Sequence, residues 1–325
     1  MIKTIKVQEL AVGMYIMLPV SWFKHPFLKN EFIIRSQDQI DKIVDHGIAE
    51  IVIDTEKGER SNSHPTGNPA SVPPKTWSPE KLVPPELREA IYDQSLPPGE
   101  KSRIVYESSR VLVERLFEDP RTENIREAKK GISEIVDLII ADDATSRELL
   151  KITSYDFYTY THSVNVGVFS VLLAKSVFKG SDAHNMHELG AGFFLHDIGK
   201  VRIDPAIINK RGKLTEDEML IIKSHPYQGY KILKETNQLT EECMIIVMQH
   251  HERENGSGYP KRLKGDQIHS YGRICCIADV YDALTSDRSY QQKLNTFEAL
   301  KLMKETLVNH FHQELFKKFV FLFTQ

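Results

Sequence analysis

The stretch Phe193-Phe194-Leu195-His196-Asp197-Ile198-Gly199-Lys200 constrains this chain most, because an apolar run ends there in an imidazole, a carboxylate and, four residues past the His, an amine. Such a pair gives a metal ion one neutral nitrogen and one oxygen able to bridge to a second ion. Alone it is weak evidence, since a buried Asp also serves as a helix cap. Four further segments repeat the pattern of a His or Asp in an apolar, helically spaced neighbourhood: His162, His225, His250 with His251, and Asp279. A lone His162 near the start of a buried helix reads as a satisfied core residue. Seven such groups do not, because each unpaired buried polar group costs roughly 1 to 3 kcal/mol. A shared divalent-metal site resolves the set. Mononuclear zinc needs three or four ligands, whereas five imidazoles and two carboxylates suit two six-coordinate ions bridged by one carboxylate and a water.

The 325 residues divide by composition. Residues 1–60 read as a small α+β domain, with strands at 2–7, 13–18, 32–35 and 49–54 and a helix at 38–46 stopped by Gly47. Its aromatic cluster, Trp22, Phe23, His25, Pro26 and Phe27, reads as core, and no catalytic constellation stands out. Residues 61–99, rich in Pro among Ser, Gly, Asn and Lys, read as an extended linker with a helical turn or two around Leu87 to Tyr92. Residues 100–144 read as two lead-in helices, and 145–325 as an all-helical domain carrying the chemistry. In that domain a Thr215-capped helix with Glu218 three residues on is expected to run to His225-Pro226.

The net charge of −3 gives no global attraction to nucleic acid polymers or anionic membranes, so phosphate binding must be local. Cys243, Cys275 and Cys276 form no paired framework, which points to a reducing compartment. No apolar stretch approaches the roughly 20 residues a bilayer needs, and the first residues lack a secretory apolar core. A cytoplasmic protein is expected.

The chain resembles the HD-GYP family, a branch of the HD phosphohydrolases. The resemblance rests on His162 in Thr-His-Ser-Val-Asn-Val, on His196-Asp197-Ile198-Gly199-Lys200, on Lys213-Leu214-Thr215 followed by His225-Pro226, on His250-His251-Glu252 with Gly256-Ser257-Gly258-Tyr259-Pro260, and on Ile277 to Arg288. It implies a mainly α, metal-dependent phosphohydrolase domain preceded by a small α+β domain, hydrolysing cyclic di-GMP through linear pGpG and often on to GMP. It also implies that His162, His196, Asp197 and Asp279 hold one ion and that Asp197, His225, His250 and His251 hold the other, with iron or manganese as the metals. A water bridging the two metals would be the nucleophile. Lys200 is expected to reach the phosphate or leaving group, with Asp282 orienting it, while Gly258, Tyr259 and Arg288 meet the substrate.

Some relatives carry a Glu one turn before the first His and a third metal; here that position is Tyr158, so two ions are expected. Where relatives have Arg-Pro-Tyr-Lys, this chain has Arg288-Ser289-Tyr290-Gln291, losing a cation near the substrate. A receptor that binds cyclic di-GMP without turning it over would be expected to lose a ligand or the Lys, and none is lost. A broader HD nucleotide phosphohydrolase would lack the His250-His251 and Gly-Tyr-Pro segments. The N-terminal module is the place for a homodimer contact or a signalling partner.

Overall fold

A computed structural model describes residues 2–17, 31–34, 37–45, 50–55, 76–153, 159–208, 210, 212–286 and 293–324. The chain forms two units, divided between Val72 and Pro73. In the first, β1 (Ile2–Lys6), β2 (Tyr15–Met17), β3 (Glu31–Ile33) and β4 (Glu50–Asp54) make one antiparallel sheet in the order β1-β4-β2-β3. The register sets Ile5 against Ile51 and Ile16 against Ile53. A helix, α1 (Gln37–Asp45), adds Ile40 and Ile43 to a core formed with Val7, Ile16, Ile34 and Ile51. This is the α+β module the alternation of apolar residues implies. The cluster Trp22 to Phe27 and Gly47 lie outside the described residues.

The second unit is helical throughout its described residues. Its helices are α2 (Pro85–Tyr92), α3 (Pro98–Glu118), α4 (Thr122–Ala141), α5 (Asp143–Ile152), α6 (Thr159–Val177), α7 (Met186–Phe194), α8 (Pro205–Ile208), α9 (Glu216–Ile222), α10 (His225–Glu235), α11 (Glu241–Gln249), α12 (Ser270–Thr285), α13 (Thr296–Glu305) and α14 (Gln313–Phe321). The centre is α6, apolar on every side, with Val164, Val166, Val168, Phe169, Val171 and Leu173 all buried. A helix of that kind belongs inside a bundle, and α3, α7, α12 and α14 pack round it.

Part of the Pro-rich stretch is not linker. Leu82, Val83, Leu87 and Ala90 are buried in the same core as α6. Pro79, Pro85 and Pro98 each open a helical segment, where a residue without an N–H costs nothing. The segment is tied down by Asp119, whose carboxylate accepts from the Trp77 backbone N–H at 2.8 Å and from the Arg121 guanidinium at 2.7 and 2.8 Å. Nor do the lead-in helices stand apart: Val105, Leu112, Ile132 and Ile139 share that core. The Thr215 capping box is present, but its helix stops at Ile222, and His225 begins α10 with Pro226 in the first turn.

Candidate metal centre

Helix ends and helical spacing aim the polar groups inward. His196 and Asp197 follow the end of α7, His250 caps the end of α11 with His251 after it, and His225 opens α10. On α6, Asn165 stands one turn beyond His162, and on the packed α12, Asp282 stands one turn beyond Asp279. The seven predicted ligands come together in two adjoining groups, Asp197 with His225, His250 and His251, and His162 with His196 and Asp279.

Asp197 joins the groups. Its Oδ1 lies 3.1 Å from His225 Nε2 and 3.9 Å from His250 Nε2, while its Oδ2 lies 3.4 Å from His162 Nε2 and 3.5 Å from His196 Nε2. Asp279 spans in the same way, with Oδ1 3.2 Å from His162 Nε2 and Oδ2 3.2 Å from His251 Nδ1. The closeness of Asp197 to His225 depends on Gly199. A Cβ there would stand 2.0 Å from the His225 carbonyl oxygen and 2.4 Å from Gly229 N, so only glycine lets the turn lie on α10.

The donor set fits a cation. His196, His225 and His250 each donate Nδ1–H to the carbonyl three residues back, at 2.8, 2.7 and 2.9 Å, which turns the Nε2 lone pair into the cavity. His225 Nε2 and His250 Nε2 then face each other at 3.0 Å. Burial, reinforced by His251, holds His250 well below the ordinary imidazole range, so a proton is a poor tenant of that gap. Asp197 Oδ1 is buried with no hydrogen-bond donor. Opposed nitrogen lone pairs beside an unsatisfied carboxylate oxygen are what a divalent ion satisfies.

Electrostatics sharpen the contrast. Burial alone would raise Asp197, but the Lys200 ammonium, which donates to its Oδ2, and the nearby imidazoles hold it well below the usual carboxylate range. Burial likewise works against Asp279, which His251 and His162 hold down. Burial pushes His196 down to about 4. His162 goes the other way: burial opposes its charge, yet its contacts with Asp197, Asp279 and Asp282 lift it well above the ordinary value.

Asp282 is placed differently from the sequence expectation. It is fully buried, its Oδ2 sits 2.7 Å from His162 Nδ1, and its Oδ1 accepts from Asn165 Nδ2 at 2.7 Å and Ser286 Oγ at 3.1 Å. Its partner is therefore His162, while Lys200 pairs with Asp197. Gly258 is packed against protein: a Cβ there would meet the His251 carbonyl oxygen at 2.5 Å and Arg253 N at 2.6 Å. The Tyr259 ring lies 4.5 Å from the His251 ring, with Lys223 Nζ 5.6 Å from its centre. Burial pushes its phenol up. Glu252, whose role the sequence left unread, is buried and accepts from the Lys261 and Leu263 backbone N–H groups at 2.7 and 2.9 Å, closing the Gly-Tyr-Pro loop. Arg288, Ser289, Gln291 and Tyr158 lie outside the described residues.

A helical bundle that converges five imidazoles on two carboxylates, one of them shared between two ligand groups, defines the class of HD-type metal-dependent phosphohydrolases. Residues 173–315 match the HD domain, and residues 2–130 match a domain of unknown function (DUF3391). The cyclic di-GMP phosphodiesterase PA4108 of Pseudomonas aeruginosa is 31% identical over 329 residues, covering 98% of this chain and 76% of that protein. On these grounds the chain belongs to the HD-GYP family of HD-domain phosphodiesterases. The 3'3'-cGAMP-specific phosphodiesterase 2 of Vibrio cholerae is 40% identical over 122 residues, 37% of this chain and 23% of that protein. Among solved structures, Bd1817, an HDG"Y"P protein from Bdellovibrio bacteriovorus, shares the fold with a TM-score of 0.62 at 16% identity, covering 100% of both chains. Among the described residues no helix is long and apolar enough to cross a membrane.

Proposed function

We propose that this protein hydrolyses cyclic di-GMP to linear pGpG and on to GMP in the cytoplasm, with two ions of iron or manganese as cofactors. The observation that carries the reading is Asp197, which turns one carboxylate oxygen to each group of imidazoles. Ions held by His162, His196, Asp197 and Asp279, and by Asp197, His225, His250 and His251, supply an activated water and neutralise charge on the phosphoryl oxygens. Asp282, by accepting from His162 Nδ1, keeps His162 Nε2 directed at the ligand cavity. Lys200, about a quarter exposed, offers its ammonium to a phosphate oxygen. Gly258 shapes the loop that sets Tyr259 at the rim, and Tyr259 and Arg288 meet the dinucleotide. A homodimer or a signalling protein binds through the N-terminal unit.

The relatives named for 3'3'-cGAMP favour one rival substrate, a mixed cyclic dinucleotide. The test is product analysis with protein loaded anaerobically with Fe²⁺ or Mn²⁺, offering cyclic di-GMP and 3'3'-cGAMP side by side. Release of pGpG and GMP from cyclic di-GMP, lost in Lys200→Met at unchanged metal content, is the expected result. Binding of cyclic di-GMP without turnover by the two-ion protein would make it a receptor instead. Preferential cleavage of 3'3'-cGAMP would transfer the assignment to that substrate.

A further inference from the structure

His162 is held differently from the other imidazoles. His196, His225 and His250 lean on backbone carbonyls of their own turns, whereas His162 leans on a buried chain of side chains from three helices. Asp282 Oδ2, from α12, lies 2.7 Å from His162 Nδ1; Asn165 Nδ2, from α6, donates to Asp282 Oδ1 at 2.7 Å. Tyr106, from α3, donates its hydroxyl to Asn165 Oδ1 at 2.8 Å. Asn165 and Asp282 are wholly buried and Tyr106 is 6% exposed, so water does not substitute for these contacts. The amide is used at both ends, and its two partners fix which end is which: oxygen to the phenol, nitrogen to the carboxylate.

We infer that Asn165 and Tyr106 are positioning residues for the ion that His162 helps to hold, acting through Asp282. The carboxylate can hold the His162 ring at one angle only if its own second oxygen is pinned, and Asn165 pins it. Tyr106 in turn stops the amide from rotating and presenting its oxygen to the carboxylate. Buried polar networks of this kind rigidify what they touch only while every member is satisfied. Loss of a group that orients a metal-binding imidazole typically weakens metal affinity 10- to 100-fold.

The inference rests on reading the cluster as a two-ion centre, and the experiment separates the two claims. The full chain, loaded with Mn²⁺, is titrated with a chelator while bound metal is counted, for the native protein, Tyr106→Phe and Asn165→Leu. The native protein should hold two ions. Asn165→Leu should lose one ion at 10- to 100-fold lower chelator strength while keeping the other, and Tyr106→Phe, which keeps the ring, should weaken the same ion by roughly three- to tenfold. The melting temperature of metal-free Tyr106→Phe should stay within about 2 °C of native, so that the loss reports on the ion and not on folding. Two ions held with native affinity in both variants would overturn the inference, as would loss of both ions in parallel. If Asn165→Leu does not fold, Tyr106→Phe decides alone. A native protein that takes up fewer than two ions would instead refute the two-ion reading itself.

Discussion

Replacing Gly199 with alanine tests whether backbone-to-backbone contact builds the centre. The added Cβ would stand 2.0 Å from the His225 carbonyl oxygen, 2.4 Å from Gly229 N and 2.9 Å from the His225 carbonyl carbon. All three obstacles are backbone, so no side chain can swing aside. Ordinary contact requires these atoms to part by about 1 Å or more. Opening that gap carries the Asp197 turn away from α10 and lengthens the 3.1 Å separation between Asp197 Oδ1 and His225 Nε2. Overpacking a tight site costs about 1 to 3 kcal/mol, and a clash with rigid backbone belongs at or above the top of that range. In a helical unit of this size each kcal/mol lowers the melting temperature by roughly 2 to 4 °C, so a fall of about 6 to 12 °C is expected. Scanning calorimetry of metal-free protein measures the packing loss, and metal analysis after reconstitution measures the damage to the ligand group containing His225. A melting temperature within about 2 °C of native, with both ions bound, would refute the reasoning.

Asp197→Ala should abolish both ions, because each ligand group draws on one of its oxygens; one fully occupied ion in metal analysis would sink the shared-carboxylate assignment. Gln291→Lys should lower the Michaelis constant for cyclic di-GMP by about tenfold at unchanged metal content, restoring a charge-assisted contact worth roughly 1.5 to 3 kcal/mol. An unchanged constant would show that no cation is missing. Acid should loosen the start of the helical unit. Burial works against the Asp119 charge, but Arg121 and the Trp77 N–H hold the carboxyl below its ordinary value of 3.8. A carboxyl lowered by folding stabilises above its unfolded value and loses that contribution as pH falls through its folded value. Trp77 fluorescence, read in a Trp22→Phe background, should therefore shift as pH falls below about 4, and Asp119→Asn should show the shifted signal at neutral pH. Identical spectra in both proteins at every pH would remove Asp119 from that role.

The sequence made the seven ligands legible because each sits in a strongly apolar helical neighbourhood, where an imidazole or carboxylate needs a reason. It did not reveal who supports them. His162 and Asp282 are 120 residues apart, and no local spacing shows their pairing. The matching intervals of three, His162 to Asn165 and Asp279 to Asp282, were the available clue, and they become informative only once α6 is known to pack on α12. The strands of the first unit followed from alternation. The extent of the second unit did not, because prolines that open helices look, by composition, like prolines that prevent them. His225-Pro226 misled in the same way: it reads as an ending and serves as a beginning.

Homology and folding divide this polypeptide at different places. The HD match starts at residue 173, inside α6 and past His162, and the other match ends at residue 130, inside α4 and well beyond the first unit. Both boundaries pass through one continuous core in which Leu87, Val105, Ile132 and Phe169 are packed together. A fragment begun at residue 145 would strip that core of α2, α3 and α4 and bare their apolar counterparts to water, a recipe for aggregation more than for a minimal enzyme. Shuffling of sensory modules onto this hydrolase, whether by recombination or at the bench, would have to splice ahead of Trp77, where the chain has not yet committed itself to the bundle.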